Sequence, residues 1–243
     1  YDRLNRESPL YAERRAAPDT RGKARGLARL IAFVERFLPR EGAVLEIGPG
    51  DAALSYALAP RVTEMVAVDV SREALTDAPP PSNFRFLLTD GFGLPVPDGS
   101  VALIISNQLM EHLHPDDAFE QLQSVHRALA PGGAYVCITP SRLTGPHDVS
   151  KHFDPVATGL HLKEYTVGEL ADVFARAGFV AMSAYAGTKG RFVRLPVWLV
   201  RAIEAVVEPL PPKLRRAVAK FWPVRAALGV RLCGHKAREA HAK

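Results

Sequence analysis

Residues 44–52, Val-Leu-Glu-Ile-Gly-Pro-Gly-Asp-Ala, constrain this chain more than any other stretch. Residues suited to a buried strand run into Gly48, Pro49 and Gly50, and residues 53–59 then read as a helix. Glycines at a strand-to-helix turn reach positive φ and let a ligand lie against bare backbone. The helix after the turn points its unbonded N–H groups and positive dipole end into the same space. The dinucleotide pattern wants a third glycine three residues on. Ala53 stands there instead, so the spacing is Glu-x-Gly-x-Gly. Glycine turns after strands are common, and the weight comes from the regular series of strand ends downstream.

Beyond residue 60, apolar runs and amphipathic stretches alternate, and before the turn residues 24–38 have helical spacing, stopped by Pro39. Buried strands are predicted at 43–47, at 65–68 ending in Asp69, at 84–88 ending in Thr89-Asp90, and at 101–106, 134–139 and 179–185. Residues 117–129 read as a helix closed by Pro131-Gly132-Gly133. Thr166 and Glu169 make a capping box for another helix that ends at Gly178. This alternation predicts an α/β fold with a mostly parallel sheet covered on both faces. In such sheets ligands bind beyond the C-terminal strand ends, near the switch point in strand order. Residues 48–52, Asp69, Asp90 and 107–112 all fall at such ends.

The 243 residues suit one large domain with an appendage. Their net charge of +5 is unevenly spread: +5 over residues 1–40, −10 over 41–186 and +10 over 187–243. Basic ends around an acidic middle point to an anionic partner or surface, or simply to solvated Lys/Arg faces. Two cysteines, Cys137 and Cys233, lie far apart without a CxxC pattern, as reduced structural thiols do. With no apolar run near the ~18 residues of a membrane span, a cytoplasmic protein, peripheral at a membrane at most, is expected.

The segments VLEIGPGDA, AVDVS, LLTDGFGLPVPDGSVALIISNQLMEHL, HRALAPGGAYVCITP and HLKEYTVGELADVFARAGF, in this order, closely resemble the class I S-adenosylmethionine-dependent methyltransferases, in the branch acting on small molecules, lipids and glycans. The resemblance covers residues 41–186. It implies a Rossmann-like, doubly wound, seven-stranded sheet whose last strand is antiparallel, here placed at 229–236. Residues 1–40 are then an N-terminal arm and helix, 41–186 the S-adenosylmethionine-binding core, 187–228 a helical insertion and 229–243 the last strand and tail. It further implies that Glu46, Gly48 and Gly50 approach the methionine part of the cofactor. Asp69 would meet the ribose with Val70 beside it at the cofactor, Asp90, Gly91 and Phe92 the adenine, and Asn107 and Gln108 the sulfonium end.

Methyl transfer to an alcohol needs an aligned acceptor and a base near neutral pH, for which histidine is the natural residue. His147, His152 and His161 lie in residues 141–164, a polar loop after the fifth strand that is long enough to be functional. These three are the candidate bases, with Glu111 and His112 the next pair. His147, Asp148, His152 and Asp154 also make a possible hard-cation set for Mg²⁺, against the alternative of a polar loop with chance histidines. In 187–228, Val197, Val200, Ile203 and Val207 form one helical face, and Leu214, Val218 and Phe221 another, beside Trp198, Trp222 and a basic cluster. A membrane-facing pair, a lid, a homodimer interface and plain packing are all compatible with that pattern.

Nucleic acid is not expected as a partner. The fourth strand ends Ser-Asn-Gln-Leu rather than in the Asn/Asp-Pro-Pro-Tyr/Phe motif of amino-methylating enzymes, and aromatic residues are not interleaved with basic ones. The expectation is an O-methyltransferase acting on a hydroxyl of a sugar, oligosaccharide or glycolipid. Its alternatives are a lipid, quinone or polyketide acceptor, or a non-catalytic cofactor-binding partner subunit.

Overall fold

The computed structural model describes residues 20–91, 93–152, 156–188 and 190–238. Phe92, Asp154 and the arm at 1–19 lie outside the described residues, as does the side chain of His152. Helix α1 (Thr20–Val34) precedes β1 (Ala43–Ile47), α2 (Ala53–Leu58), β2 (Glu64–Asp69), β3 (Phe84–Leu88) and β4 (Val101–Asn107). Then come α3 (Pro115–Ala128), β5 (Leu129–Thr139), α4 (Val167–Arg176), β6 (Val180–Thr188) and β7 (Arg191–Pro196). Helices α5 (Val197–Val207), α6 (Pro212–Lys220) and α7 (Trp222–Leu228) lead to β8 (Val230–His235).

One sheet runs in the order β3-β2-β1-β4-β5-β8-β6-β7. Strands β1 to β5 are parallel, and β8 is antiparallel to both β5 and β6. The central strands are apolar on both faces because both are covered, as a parallel sheet requires. Phe33, Leu54 and Leu58 of α1 and α2 pack with Val44, Leu103 and Val136 on one side. Leu122, Leu170 and Phe174 of α3 and α4 pack with Leu45, Ile104 and Tyr135 on the other.

The sheet has eight strands rather than the seven expected. The extra one, β7, pairs antiparallel with β6 and lies inside the segment read as a helical insertion, whose helices begin only at Val197. Packing holds it in place: the Phe192 ring sits 4.7 Å from Phe33 of α1. The Pro131-Gly132-Gly133 break is also absorbed into a strand, with Gly132 at φ +78 near the start of β5. The capping box forms as its sequence predicts, Thr166 and Glu169 each bonding the other's backbone N–H.

The apolar positions of the inserted helices divide between the core and the surface. Val200 and Val207 are buried, while Trp198, Val206, Leu214, Phe221 and Trp222 are exposed. A polar clamp fixes α5 to α4: the buried Glu204 carboxylate accepts from the N–H groups of Val167 (2.7 Å) and Gly168 (2.9 Å). Both amides belong to the first turn of α4, where a carboxylate is favoured. Arg201 reaches Asp172, and Arg142 ties Glu169 to Glu208. No helix among the described residues is long and apolar enough to cross a membrane. Cys137 and Cys233 are buried free thiols, each pushed up to about 12 by burial.

At the end of β1 the buried Glu46 carboxylate accepts from the Ser55 hydroxyl of α2, tying the strand to the helix beneath the glycine turn. Burial raises this carboxyl to about 7 against the lowering effect of Ser55, with Asp51 and Asp69 adding to the rise. The folded protein therefore keeps a proton that the unfolded chain releases near 4.5. Stability from this group is complete below pH 4.5 and is lost as pH rises to about 7, a decline of up to about 3 kcal/mol. Urea unfolding at pH 5, 6 and 8 should show that decline in the wild type and a flatter profile in Glu46→Gln. Identical slopes would remove Glu46 as the cause.

Candidate active site

The parallel strands β1 to β5 put their C-terminal ends along one edge. Gly48 (φ +66), Gly50 (φ +55) and Ala52 (φ +58) give the turn after β1 three left-handed residues at alternate positions. Only glycine adopts that region without cost; at Ala52 it costs on the order of 1 kcal/mol. Such strain persists in a buried residue when the surrounding structure fixes the turn. The Gly48 N–H bonds the Val68 carbonyl at 2.9 Å, and a Cβ at Gly48 would lie 3.2 Å from Leu109 in the turn after β4. The two turns therefore touch across the switch point. Helix α2 has only six residues, and Asp51 already bonds its Ala53 N–H. The backbone of the turn matters more here than the helix dipole. Glu46, expected at the cofactor, bonds the Ser55 hydroxyl beneath this turn.

Asp69 ends β2, and its Oδ1 accepts from Val70 N–H at 2.7 Å and Ser71 N–H at 3.3 Å. Val70 is 59% exposed, an apolar side chain standing in the open at a strand end. It lies 3.4 Å from where a Cβ of Gly91 (φ +98) would be. The turn after β3 is held by Asp90 accepting from Gly93 N–H and by Gln121 donating to the Gly91 carbonyl. A carboxylate, a bare glycine turn and an apolar face arranged side by side fit an adenosine bearing a charged tail. S-adenosylmethionine is a cofactor of that kind.

Gln108 follows β4 with φ +58, its N–H bonded to the Ile138 carbonyl at 2.8 Å. Asn107, expected beside it at the sulfonium end, lines a cleft of about 580 Å³ with Ile138, residues of α1, the β6–β7 hairpin, the α6–α7 junction and Arg231 of β8.

The two candidate bases with described side chains share one carboxylate, since Glu164 Oε1 accepts from the His147 N–H at 2.7 Å and lies 2.8 Å from His161 Nδ1. His147 is exposed, its Nε2 2.8 Å from the Thr144 hydroxyl. His161 is largely buried, its Nδ1 2.8 Å from Glu164, and its ring meets His112 edge-on at 5.0 Å. Burial lowers the His161 pKa, but the Glu164 hydrogen bond and the Glu111, Glu164 and Asp148 charges outweigh it and raise it overall. Glu111 is fully buried. Its Oε2 accepts from Thr139 at 2.8 Å, and its Oε1 has no hydrogen-bond partner among the described residues. Burial raises its pKa. The Leu162 N–H bonds the Glu111 carbonyl at 2.7 Å, so the loop folds back onto the β4 end.

Of the expected cation set, His147 and Asp148 are described, while Asp154 and the His152 side chain lie outside the described residues. The Asp148 carboxylate is spent on the N–H groups of Ser150, Gly159 and His161, and those bonds lower its pKa against the raising effect of burial. Among the described residues, the donors that do converge are one atom each from Glu111, His112 and His161, within 4.8 Å of one another. Sequence reasoning missed Glu164. Its signal was a carboxylate three residues after a loop histidine.

The methyltransferase-domain family matches residues 17–184. A Mycobacterium tuberculosis protein named a probable S-adenosylmethionine-dependent methyltransferase is 27% identical over 76% of this chain and 69% of its own length. A similarly named Mycolicibacterium smegmatis protein is 34% identical, over 35% of this chain and 31% of its own length. Among solved structures, a chain from the complex of the Haloferax volcanii Trm112 methyltransferase activator with a protein assigned as a methyltransferase superposes with a TM-score of 0.61. It is 20% identical, covering 91% of this chain and 95% of its own, which is a likeness of fold.

Asp69→Ala should weaken S-adenosylhomocysteine binding by about 1.5–3 kcal/mol, the scale of lost charge-assisted hydrogen bonds. Asp69→Asn, which keeps the backbone acceptor, should fall between. Calorimetry giving wild-type affinity in a folded Asp69→Ala protein would overturn the assignment.

Proposed function

The chain belongs to the class I S-adenosylmethionine-dependent methyltransferases, and on that footing we propose that it methylates a hydroxyl of a sugar, oligosaccharide or glycolipid. The cofactor, when bound, supplies a methyl group on a sulfonium, which leaves without needing a proton. Gly48, Gly50, Asp69, Val70, Asp90 and Gly91 would hold it. The remaining task is the acceptor's proton, and one arrangement carries the proposal: His161 backed by Glu164 at the ends of β4 and β5. The Glu164 carboxylate fixes the imidazole through Nδ1, so Nε2 is the nitrogen that takes the proton, with Glu111 and His112 alongside. An imidazole oriented by a carboxylate is a general base by construction. His147, exposed and bound to Thr144, is the weaker candidate of the loop.

A polar cleft rimmed by Trp222 and reaching the β4 and β5 ends supports a carbohydrate-bearing acceptor over a flat quinone or polyketide ring. The exposed Trp198, Phe221 and Trp222 support a peripheral surface contact by the helical segment. A non-catalytic role would leave the His161–Glu164 pair without a task.

The unpartnered buried Oε1 of Glu111 favours a second reading, in which Glu111, His112 and His161 hold a divalent cation that acidifies the acceptor hydroxyl. The two readings part in one assay. If His161 is the base, His161→Ala should lower kcat by about 10²–10⁴-fold, S-adenosylhomocysteine affinity should hold, and added imidazole should restore part of the rate. Activity lost to chelators and regained with Mn²⁺ would select the cation. Wild-type kcat in both His161→Ala and Glu164→Gln would put the chemistry elsewhere.

A further inference from the structure

The cleft of about 580 Å³ beside the β4 and β5 ends is built from opposite ends of the chain. Helix α1 contributes Arg29, the α6–α7 junction Lys220 and Arg225, and β8 Arg231. Among the described residues no carboxylate lines it, and none of these four side chains has an acidic partner in an ion pair. Three are exposed, where an unpaired charge costs little. Arg231 is different. It is half-buried, and burial alone lowers its pKa, with no neighbouring charge offsetting it.

The position of Arg231 is enforced. It pairs in the sheet with Ile138, next to the strand end where Asn107 pairs with the same residue. Its guanidinium carbon lies 5.8 Å from the centre of the Phe192 ring. Gly229 leaves it room, since a Cβ there would come within 2.8 Å of Nη1. A partly desolvated guanidinium held rigid by a strand, with further cations at the rim, is an anion site looking for its charge.

We propose that this cleft binds an anionic group of the acceptor, a phosphate ester, with Arg231 as the inner contact and Arg29, Arg225 and Lys220 around it. A phosphate dianion matches several cations better than a single carboxylate does, and guanidinium groups meet its oxygens in bidentate fashion. This rests on the reading that the acceptor approaches over the ends of β4 and β5. The cleft reaches β5 at Ile138, and Glu111 reaches it at Thr139, one residue on and on the opposite face. An acceptor held by its phosphate in the cleft would straddle the sheet edge, its reacting hydroxyl on the far side.

Trp222 lines the cleft and Trp198, the one other tryptophan, does not, so the full chain carrying Trp198→Phe reports on it by fluorescence. Inorganic phosphate and phenyl phosphate should change that signal saturably. Arg231→Ala should weaken both by tenfold or more, and Arg225→Ala by a smaller factor, while S-adenosylhomocysteine affinity stays within about twofold of wild type. The exposed Arg225 keeps the test open if Arg231→Ala fails to fold.

Sedimentation with phosphatidylglycerol and with phosphatidylcholine vesicles identifies the source. Retention on the anionic vesicles alone, lost in Arg231→Ala, makes the phosphate a lipid headgroup. Equal behaviour of wild type and variant on both makes it a soluble ester. Phosphate affinity unchanged in both variants, or a wild type that binds S-adenosylhomocysteine but neither phosphate probe, overturns the proposal. Phosphate binding without S-adenosylhomocysteine binding would instead overturn the cofactor reading and leave the anion site standing.

Discussion

The constraint on which this molecule depends is the reversal of strand order at β1. From that strand the chain builds outward to β2 and β3 on one side, then returns to lay β4 and β5 on the other. Helices leaving the two sides cross opposite faces of the sheet, and nothing in the backbone fills the gap above the reversal. There the turn after β1 and the turn after β4 come close, and a methyl at Gly48 would stand 3.2 Å from the Leu109 side chain. Both turns carry left-handed residues, Ala52 and Gln108 among them, that the surrounding packing has to hold. In the proposed function, this one topological fact would make cofactor-facing backbone and acceptor-facing side chains neighbours.

The charge distribution takes on a meaning in three dimensions that it lacks along the chain. The acidic middle supplies the sheet edge with Asp69, Asp90, Glu111 and Glu164. The basic ends, remote in sequence, meet over β4, β5 and β8, where Arg29 from the first described helix stands near Arg225 and Arg231 from the last elements. In the proposed function Asp69 and Asp90 would give a cationic cofactor a negative side, and the arginines would give an anionic acceptor a positive one. Electrostatic steering would sort the two ligands before any specific contact forms.

What could be read from sequence came from local rules. Parallel strands buried on both faces leave runs such as Met65–Val68, and the Thr166–Glu169 box needs only four consecutive residues. The strand-end residues were legible because each closes such a run. Long-range packing was not legible. Strand β7 depends on Phe192 meeting Phe33, and its own sequence, with arginines at 191 and 194, gives no clean alternation. Sequence put His147, His152 and His161 in one loop as candidate bases without showing their partners. The fold spends Asp148 on backbone N–H groups and brings forward His161, whose partners Glu111 and His112 lie on another element. Arg231 looked like one basic residue among many in the C-terminal segment. Only its burial next to Ile138 separates it from the rest.

The contact of Glu204 with the first turn of α4 has a consequence for motion. A carboxylate lent by α5 completes the hydrogen bonding of Val167 and Gly168, so the inserted helices cannot lift from the sheet without stripping the start of a core helix. Breathing of the cap and fraying of α4 are then a single event. The amide protons of those two residues would then trade with solvent at the frequency of that event, and they would serve as a clock for how often the inserted helices part from α4.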